Sequence, residues 1–279
     1  MIFLSVCCWL NVKAQFKLTV DSLKVSYLNT NTNAEAYPFI SKDGLRLYYT
    51  SSQEGLGRIY ISERKTKEEN FQLSRPLSVN LPDSFFGATL TDNELEIYLF
   101  DSWKSYHSRR TSTSDEFPFP TLIKELGDCH TKPAISPNGE ELIAVHGSGC
   151  DTSRKSRDSI RIFVRNEDGF FQKSGVLDFP VGFRPGPGQF SKDGLNYYTI
   201  VDKRWYEYNK GWQDSTLSLK YSRASLKSPF REYEIILTEF QQGRPEQITF
   251  DADQTIMIGV LTTKMEWRKN NLIYYVVNK

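Results

Sequence analysis

The sequence predicts an all-β fold, a five-bladed β-propeller of four-stranded blades whose last blade is closed by an N-terminal strand; six blades is the alternative count. Three observations predict it: a hairpin signature that recurs five times, an Arg-to-Phe spacing that follows the hairpins, and an incomplete sheet at each end of the chain.

The hairpin is read from "PFISKDGLRLYY" (38–49), "GATLTDNELEIYL" (87–99), "PAISPNGEELIAV" (133–145), "GQFSKDGLNYYTI" (188–200) and "ITFDADQTIMIGV" (248–260). A short apolar strand enters a polar turn and an alternating strand leaves it. Three of the five copies carry Asp-Gly or Asn-Gly, residues that tolerate the positive φ of tight hairpins. The turns start at Ser41, Thr91, Ser136, Ser191 and Asp251, so the steps are 50, 45, 55 and 60 residues, room for four short strands per unit.

The second signal places an Arg seven residues before a Phe in "RKTKEENF" (64–71), "RTSTSDEF" (110–117) and "RASLKSPF" (223–230). The third unit has a shorter form, "RNEDGF" (165–170). The Arg is predicted to end a third strand and the Phe to begin a fourth, both as scaffold residues.

The ends of the chain predict closure. The fifth unit has a third strand, "LIYYVV" (272–277), and no fourth before Lys279, whereas "LKVSYLNTNTN" (23–33) has no hairpin before it and aligns with the fourth-strand segment 75–84. A strand within 23–33 is therefore expected to complete the last sheet and cover its free edge.

The succession of Pro, Ser-x-Asp-Gly, an aromatic-rich strand, a Gly-rich loop, "IYISER" and then Phe resembles the WD-like β-propeller repeat of the TolB-like class, common in exported bacterial proteins. The motif is clearest in units one and four. Such propellers serve as partner-binding modules, substrate gates and occasionally enzymes, so the resemblance implies fold more than function.

Composition narrows the partners. The 279 residues carry 35 Lys and Arg against 34 Asp and Glu, with no basic stripe for nucleic acid and no polybasic tail for an anionic membrane. The apolar run Ile2–Leu10, followed by Val12-Lys13-Ala14, reads as a leader with cleavage after Ala14, giving a signal peptide at 1–14 and one propeller domain at 15–279. The run is too short to span a bilayer. "LSVC" (4–7) offers Cys7 as a site for a lipid anchor, although Val6 is larger than the residue usual before such a cysteine. A periplasmic or secreted location follows, and with it a disulfide between Cys129 and Cys150, which flank the turn 136–139.

The loops before each first strand and after each second strand are expected to meet on one face around the channel. The candidate ligand-binding residues there are Arg184, Arg244, Trp103, Trp205, Trp267, His130, His146 and Arg204, suited to a protein, peptide or glycan. Arg184-Pro185 and Arg244-Pro245 both put Arg seven residues before the turn start. His107, His130 and His146 show no metal-ligand spacing, although His130 and His146 are placed to approach across the third hairpin, and no metal or cofactor is expected. No G-x-S-x-G elbow or phosphate loop is present, and no catalytic residue is assigned. The alternative is a five-bladed carbohydrate-active enzyme using Glu35, Asp101, Asp202 or Glu266, which requires two or three of them to converge.

Overall fold

A computed structural model of the chain describes residues 17–30, 34–52, 57–77, 85–148, 158–207, 211–237, 244–262 and 270–278. The elements begin with strand β1 (Lys17–Val20) and a 3-10 turn (Ser22–Val25). Blade one follows with β2 (Glu35–Ile40), β3 (Arg46–Ser51), β4 (Arg58–Glu63) and β5 (Arg75–Pro76). Blade two holds β6 (Phe86–Leu90), β7 (Glu96–Phe100), β8 (Ser105–Arg109) and β9 (Thr121–Leu122). Blade three holds β10 (His130–Ile135), β11 (Glu141–His146), β12 (Ser159–Arg165) and β13 (Phe171–Leu177). Blade four holds β14 (Arg184–Phe190), β15 (Asn196–Glu207), β16 (Gly211–Ser222) and β17 (Glu234–Leu237). The last three strands are β18 (Arg244–Phe250), β19 (Ile256–Thr262) and β20 (Asn270–Asn278).

Five antiparallel four-stranded sheets result, and the fifth runs β1-β20-β19-β18. The ring is a five-bladed β-propeller closed by an N-terminal strand. The closing strand lies earlier than the sequence reading placed it: Lys17 to Val20 pair with Asn278 to Tyr275. Within 23–33, residues 23–28 form no strand, and Val25 and Leu28, three residues apart, turn into the core between blades five and one.

The turns repeat one geometry. In blade one the Ser41 hydroxyl donates to Asp43 at 2.5 Å, Asp43 accepts the Leu45 amide at 3.0 Å, and Ser41 Oγ accepts the Arg46 amide at 2.9 Å. Thr91–Asn93, Ser136–Asn138 and Ser191–Asp193 repeat it, and Asp251 performs it alone by accepting the Thr255 and Ile256 amides. The fourth turn residue has positive φ in every copy: Gly44, Glu94, Gly139, Gly194 and Gln254. Glycine is thus the favoured occupant, and the local bonds hold Glu94 and Gln254 in a conformation other residues rarely adopt.

Behind each of the first four turns the predicted Arg works as scaffold. Arg64 stacks on Phe71 at 4.4 Å, Arg110 on Phe117 at 4.2 Å, Arg165 on Phe171 at 4.7 Å and Arg223 on Phe230 at 4.5 Å. In blade three the partner is Phe171, one residue after the expected Phe170, which is exposed. These Phe residues also precede most fourth strands instead of starting them; only Phe171 begins one.

The core is divided among the blade interfaces. One apolar cluster lies between each neighbouring pair, as where Tyr48, Ile59 and Ile61 of blade one meet Leu90, Ile97 and Leu99 of blade two. The clusters between blades two and three, three and four, and four and five follow the same plan. The seam between blades five and one is filled by Val25 and Leu28 together with Tyr49, Phe71, Val260 and Tyr274.

Candidate functional site

Each first strand carries a β-bulge, at Ala36/Phe39, Phe86/Thr89, Thr131/Ala134, Pro185/Gly188 and Pro245/Gln247. Bulges re-aim side chains near channels and sites, and here they set what enters the ring axis. Tyr37 and Lys132 take positive φ at their bulges, as does Gly87. Gly188 is required for a different reason: a Cβ there would meet the Tyr197 hydroxyl at 2.3 Å.

The channel is bonded across its wall. Gln189 accepts the Phe250 amide at 2.9 Å and the Thr249 hydroxyl, Thr249 accepts the Ile40 amide at 3.1 Å, and Gln247 accepts the Tyr37 amide. Among the described residues the space left along it is small, with cavities of about 40 Å³ and 30 Å³. A wider groove of about 230 Å³ lies on the turn face, lined by Asp92, Pro137, Asn138, Lys192, Asp193, Gly194 and Leu226.

At the opposite mouth, one position before each bulge pair, stand Glu35, Phe85, His130, Arg184 and Arg244. Glu35, Phe85 and His130 are buried and Arg184 is exposed. Arg184 lies opposite Asp202, and Arg244 takes the equivalent register opposite Thr262.

His130 and His146 meet across the third hairpin as expected, in register, with ring centres 5.0 Å apart. Both are buried. His130 Nε2 lies 3.1 Å from Arg161 Nη1 and its Nδ1 lies 3.0 Å from the Asp128 carbonyl. A neutral ring with its proton on Nδ1 satisfies both contacts. Burial, then the Arg161 charge and His146, lower its pKa to about 4. The third histidine, His107, lies beside Glu96, whose carboxyl is held at about 2 chiefly by that contact, with Tyr98 and Arg165 adding to it.

Trp103 is 53% exposed on the β7–β8 loop. That loop is stapled by Asp101, which accepts the Trp103 amide at 2.7 Å, the Lys104 amide at 2.8 Å and the Tyr106 hydroxyl at 2.7 Å. Burial acts to raise the Asp101 pKa, and these bonds outweigh it and lower it.

Glu35 is fully buried. Its Oε1 accepts the Thr30 hydroxyl at 3.0 Å and the Ser51 hydroxyl at 3.2 Å, while Oε2 has no hydrogen-bond partner. Desolvation raises its pKa to about 7 against the lowering effect of those hydroxyls and of the Thr30 and Glu35 backbone amides.

Among the described residues no cluster of metal-ligating side chains occurs. Trp267, Glu266 and Cys150 lie outside the described residues, as does the leader with Cys7, and Trp205, Arg204 and Arg244 are described by backbone only. By backbone, β15 and β16 pair as far as Glu207↔Gly211, beyond the last β14 partner at Asp202, so Arg204 and Trp205 stand on a ribbon extending past the first strand. Sequence reading located the mouth positions but missed the bulges and the Asp101 staple; the Asp two residues before an exposed Trp was the available signal.

No family model matches the sequence, and no curated protein does. Solved structures share the architecture. The catalytic domain of the GH62 α-L-arabinofuranosidase of Coprinopsis cinerea is 7% identical over 96% of this chain and 98% of that one, with a TM-score of 0.55. MPT-4, a mannose phosphorylase from Leishmania mexicana, is 13% identical over 87% and 83%, with a TM-score of 0.50. TolB from Acinetobacter baumannii is 12% identical over 88% of this chain, with a TM-score of 0.46, and this chain spans 55% of its length. At such identities the likeness is one of fold alone.

Proposed function

We propose that the chain is an exported, non-catalytic β-propeller that binds a protein, peptide or glycan on the face opposite the inner turns. The observation that carries this reading is Trp103: an exposed indole held on a loop whose backbone Asp101 has already ordered. Little conformational entropy remains to be lost when such a ring docks, which favours it as an anchor. Arg184, exposed at the channel mouth, supplies a bidentate donor for a carboxylate or sugar hydroxyl. Trp205, Trp267, Arg204 and Arg244 belong to the same proposed surface, while buried His130 and His146 would shape it from beneath.

Export rests on the leader at 1–14 and on a Cys129–Cys150 disulfide in a propeller domain spanning 15–279. Cys129, a disulfide-bonded residue, precedes β10, and Gly147 after β11 bonds back to its carbonyl at 3.0 Å.

A carbohydrate-active enzyme is the second reading, favoured by the raised pKa of Glu35. Against it, Asp101 is committed to its loop, and Glu35 is fully buried. The test is a glycan-array and peptide-library screen on residues 15–279 beside Trp103→Ala/Arg184→Ala. Binding lost in a variant of unchanged melting temperature supports the proposal. Binding that survives the double substitution, or turnover of a bound glycan, overturns it.

A further inference from the structure

The segment between β1 and β2 crosses the seam where the ring closes, and it is bonded to both sides. Toward blade five, the Asp21 amide donates to the Tyr274 carbonyl at 2.9 Å. The Asn29 side chain copies a strand edge there, donating to the Leu272 carbonyl at 2.9 Å and accepting its amide at 2.7 Å. Toward blade one, the Lys24 carbonyl accepts the Phe71 amide at 3.0 Å, and the Thr30 hydroxyl reaches Glu35. Val25 and Leu28 fill the core between.

Glu35 sits where this crossing segment meets the first hairpin. Its Oε1 gathers a hydroxyl from each side, Thr30 from the segment and Ser51 from β3. Two hydroxyl donors on one oxygen suit the carbonyl oxygen of a carboxylic acid as well as they suit a carboxylate. The other oxygen decides the matter, because Oε2 is buried without a partner, and a buried charge with an unsolvated oxygen costs far more than a neutral acid.

Glu35 makes no ion pair among the described residues, and the recorded ionisable neighbour is the Tyr49 phenol of β3, itself pushed up to about 12 by burial and by Glu35. The crossing segment and β2 add the Thr30 and Glu35 backbone amides, both neutral.

We propose that Glu35 is a proton-operated latch of the ring seam: as the neutral acid it holds the crossing segment to the first hairpin, and ionisation loosens that segment. The expected direction follows from the raised pKa. Below the unfolded value of 4.5 the stabilisation is complete, it declines as pH rises, and it is lost once pH passes about 7.

The test compares the chain with Glu35→Gln, a neutral isostere that keeps an oxygen for Thr30 and Ser51, by thermal melting from pH 5 to 8. The melting temperature of the unsubstituted chain is expected to fall relative to the variant by roughly 5–10 °C across that range. Hydrogen exchange gives the local readout. At pH 8 the amides of Asp21, Leu28 and Phe71 should exchange faster, after correction for intrinsic rates, in the unsubstituted chain than in the variant, and equally at pH 5. Parallel melting profiles, or equal protection at pH 8, overturn the latch. A ligand screen that fails leaves this result untouched, because the measurement uses no ligand.

Discussion

Arg223 lies on the ring of Phe230, with 4.5 Å from guanidinium carbon to ring centre, and from there its Nη1 reaches 2.6 Å to Glu141 of the preceding blade. Its Nε also donates to the Gly194 carbonyl at 2.9 Å. One side chain thus fixes its own turn, its own fourth-strand approach and the neighbouring blade.

Arg223→Ala should therefore cost more than the equivalent change at Arg110, whose guanidinium has a ring and two carbonyls but, among the described residues, no carboxylate. Removing Arg223 leaves the Glu141 carboxylate, only 12% exposed and with its pKa already raised by desolvation, uncompensated. A loss of about 3–5 kcal/mol is expected in urea unfolding, against about 1–2 kcal/mol for Arg110→Ala. Adding Glu141→Gln should restore part of the Arg223→Ala loss; no rescue would refute the ion-pair account.

Gly188→Ala should destabilise by about 3 kcal/mol, because the new methyl meets the Tyr197 hydroxyl at 2.3 Å and the Tyr198 carbonyl at 2.5 Å, and the backbone atom cannot swing aside. Gly147→Ala is the control, with nothing within 4 Å. Equal melting temperatures for the two variants would contradict the packing described for β14.

Leu28→Ala should lose about 2–4 kcal/mol by opening a cavity in the seam, and Asn29→Ala about 1–2 kcal/mol by leaving both Leu272 backbone groups without that partner. Tyr27, just before them in the chain and 67% exposed, should accept Ala with little change. Differential scanning calorimetry of the three variants checks the order.

Acid should weaken blade three. His130 has its folded pKa lowered to about 4 from 6.5, so the folded state binds fewer protons than the unfolded one between those values. Its contribution is complete above pH 6.5 and is lost as pH falls through 4, roughly 3 kcal/mol in all. His130→Asn should flatten the melting profile over that window; an unchanged slope would show that other groups set it.

The repeat was legible because each turn is a local bargain among Ser or Thr, Asp or Asn, and a residue at positive φ, all within five positions. The Arg-to-Phe spacing was legible for the same reason. The closing strand was not, since Lys17–Val20 is only four residues long and the more apolar stretch after it was a stronger strand signal, although the three-residue spacing of Val25 and Leu28 pointed to a turn. At the candidate site the sequence found the mouth positions, yet burial separates Glu35, Phe85 and His130 from Arg184, and burial is a property of the assembled ring.

The pairing of Lys17 with Asn278 also sets an order of events. Contacts between residues so far apart in sequence form last, since their loop-closure entropy must be met before any gain arrives. Until then β20 presents a bare edge, and Tyr274 and Leu272 lack the core partners Val25 and Leu28. The interval before closure is when this chain is most exposed to pairing with another copy of itself, and a slow final phase in refolding, sensitive to protein concentration, is the kinetic signature of a ring fastened by its own first strand.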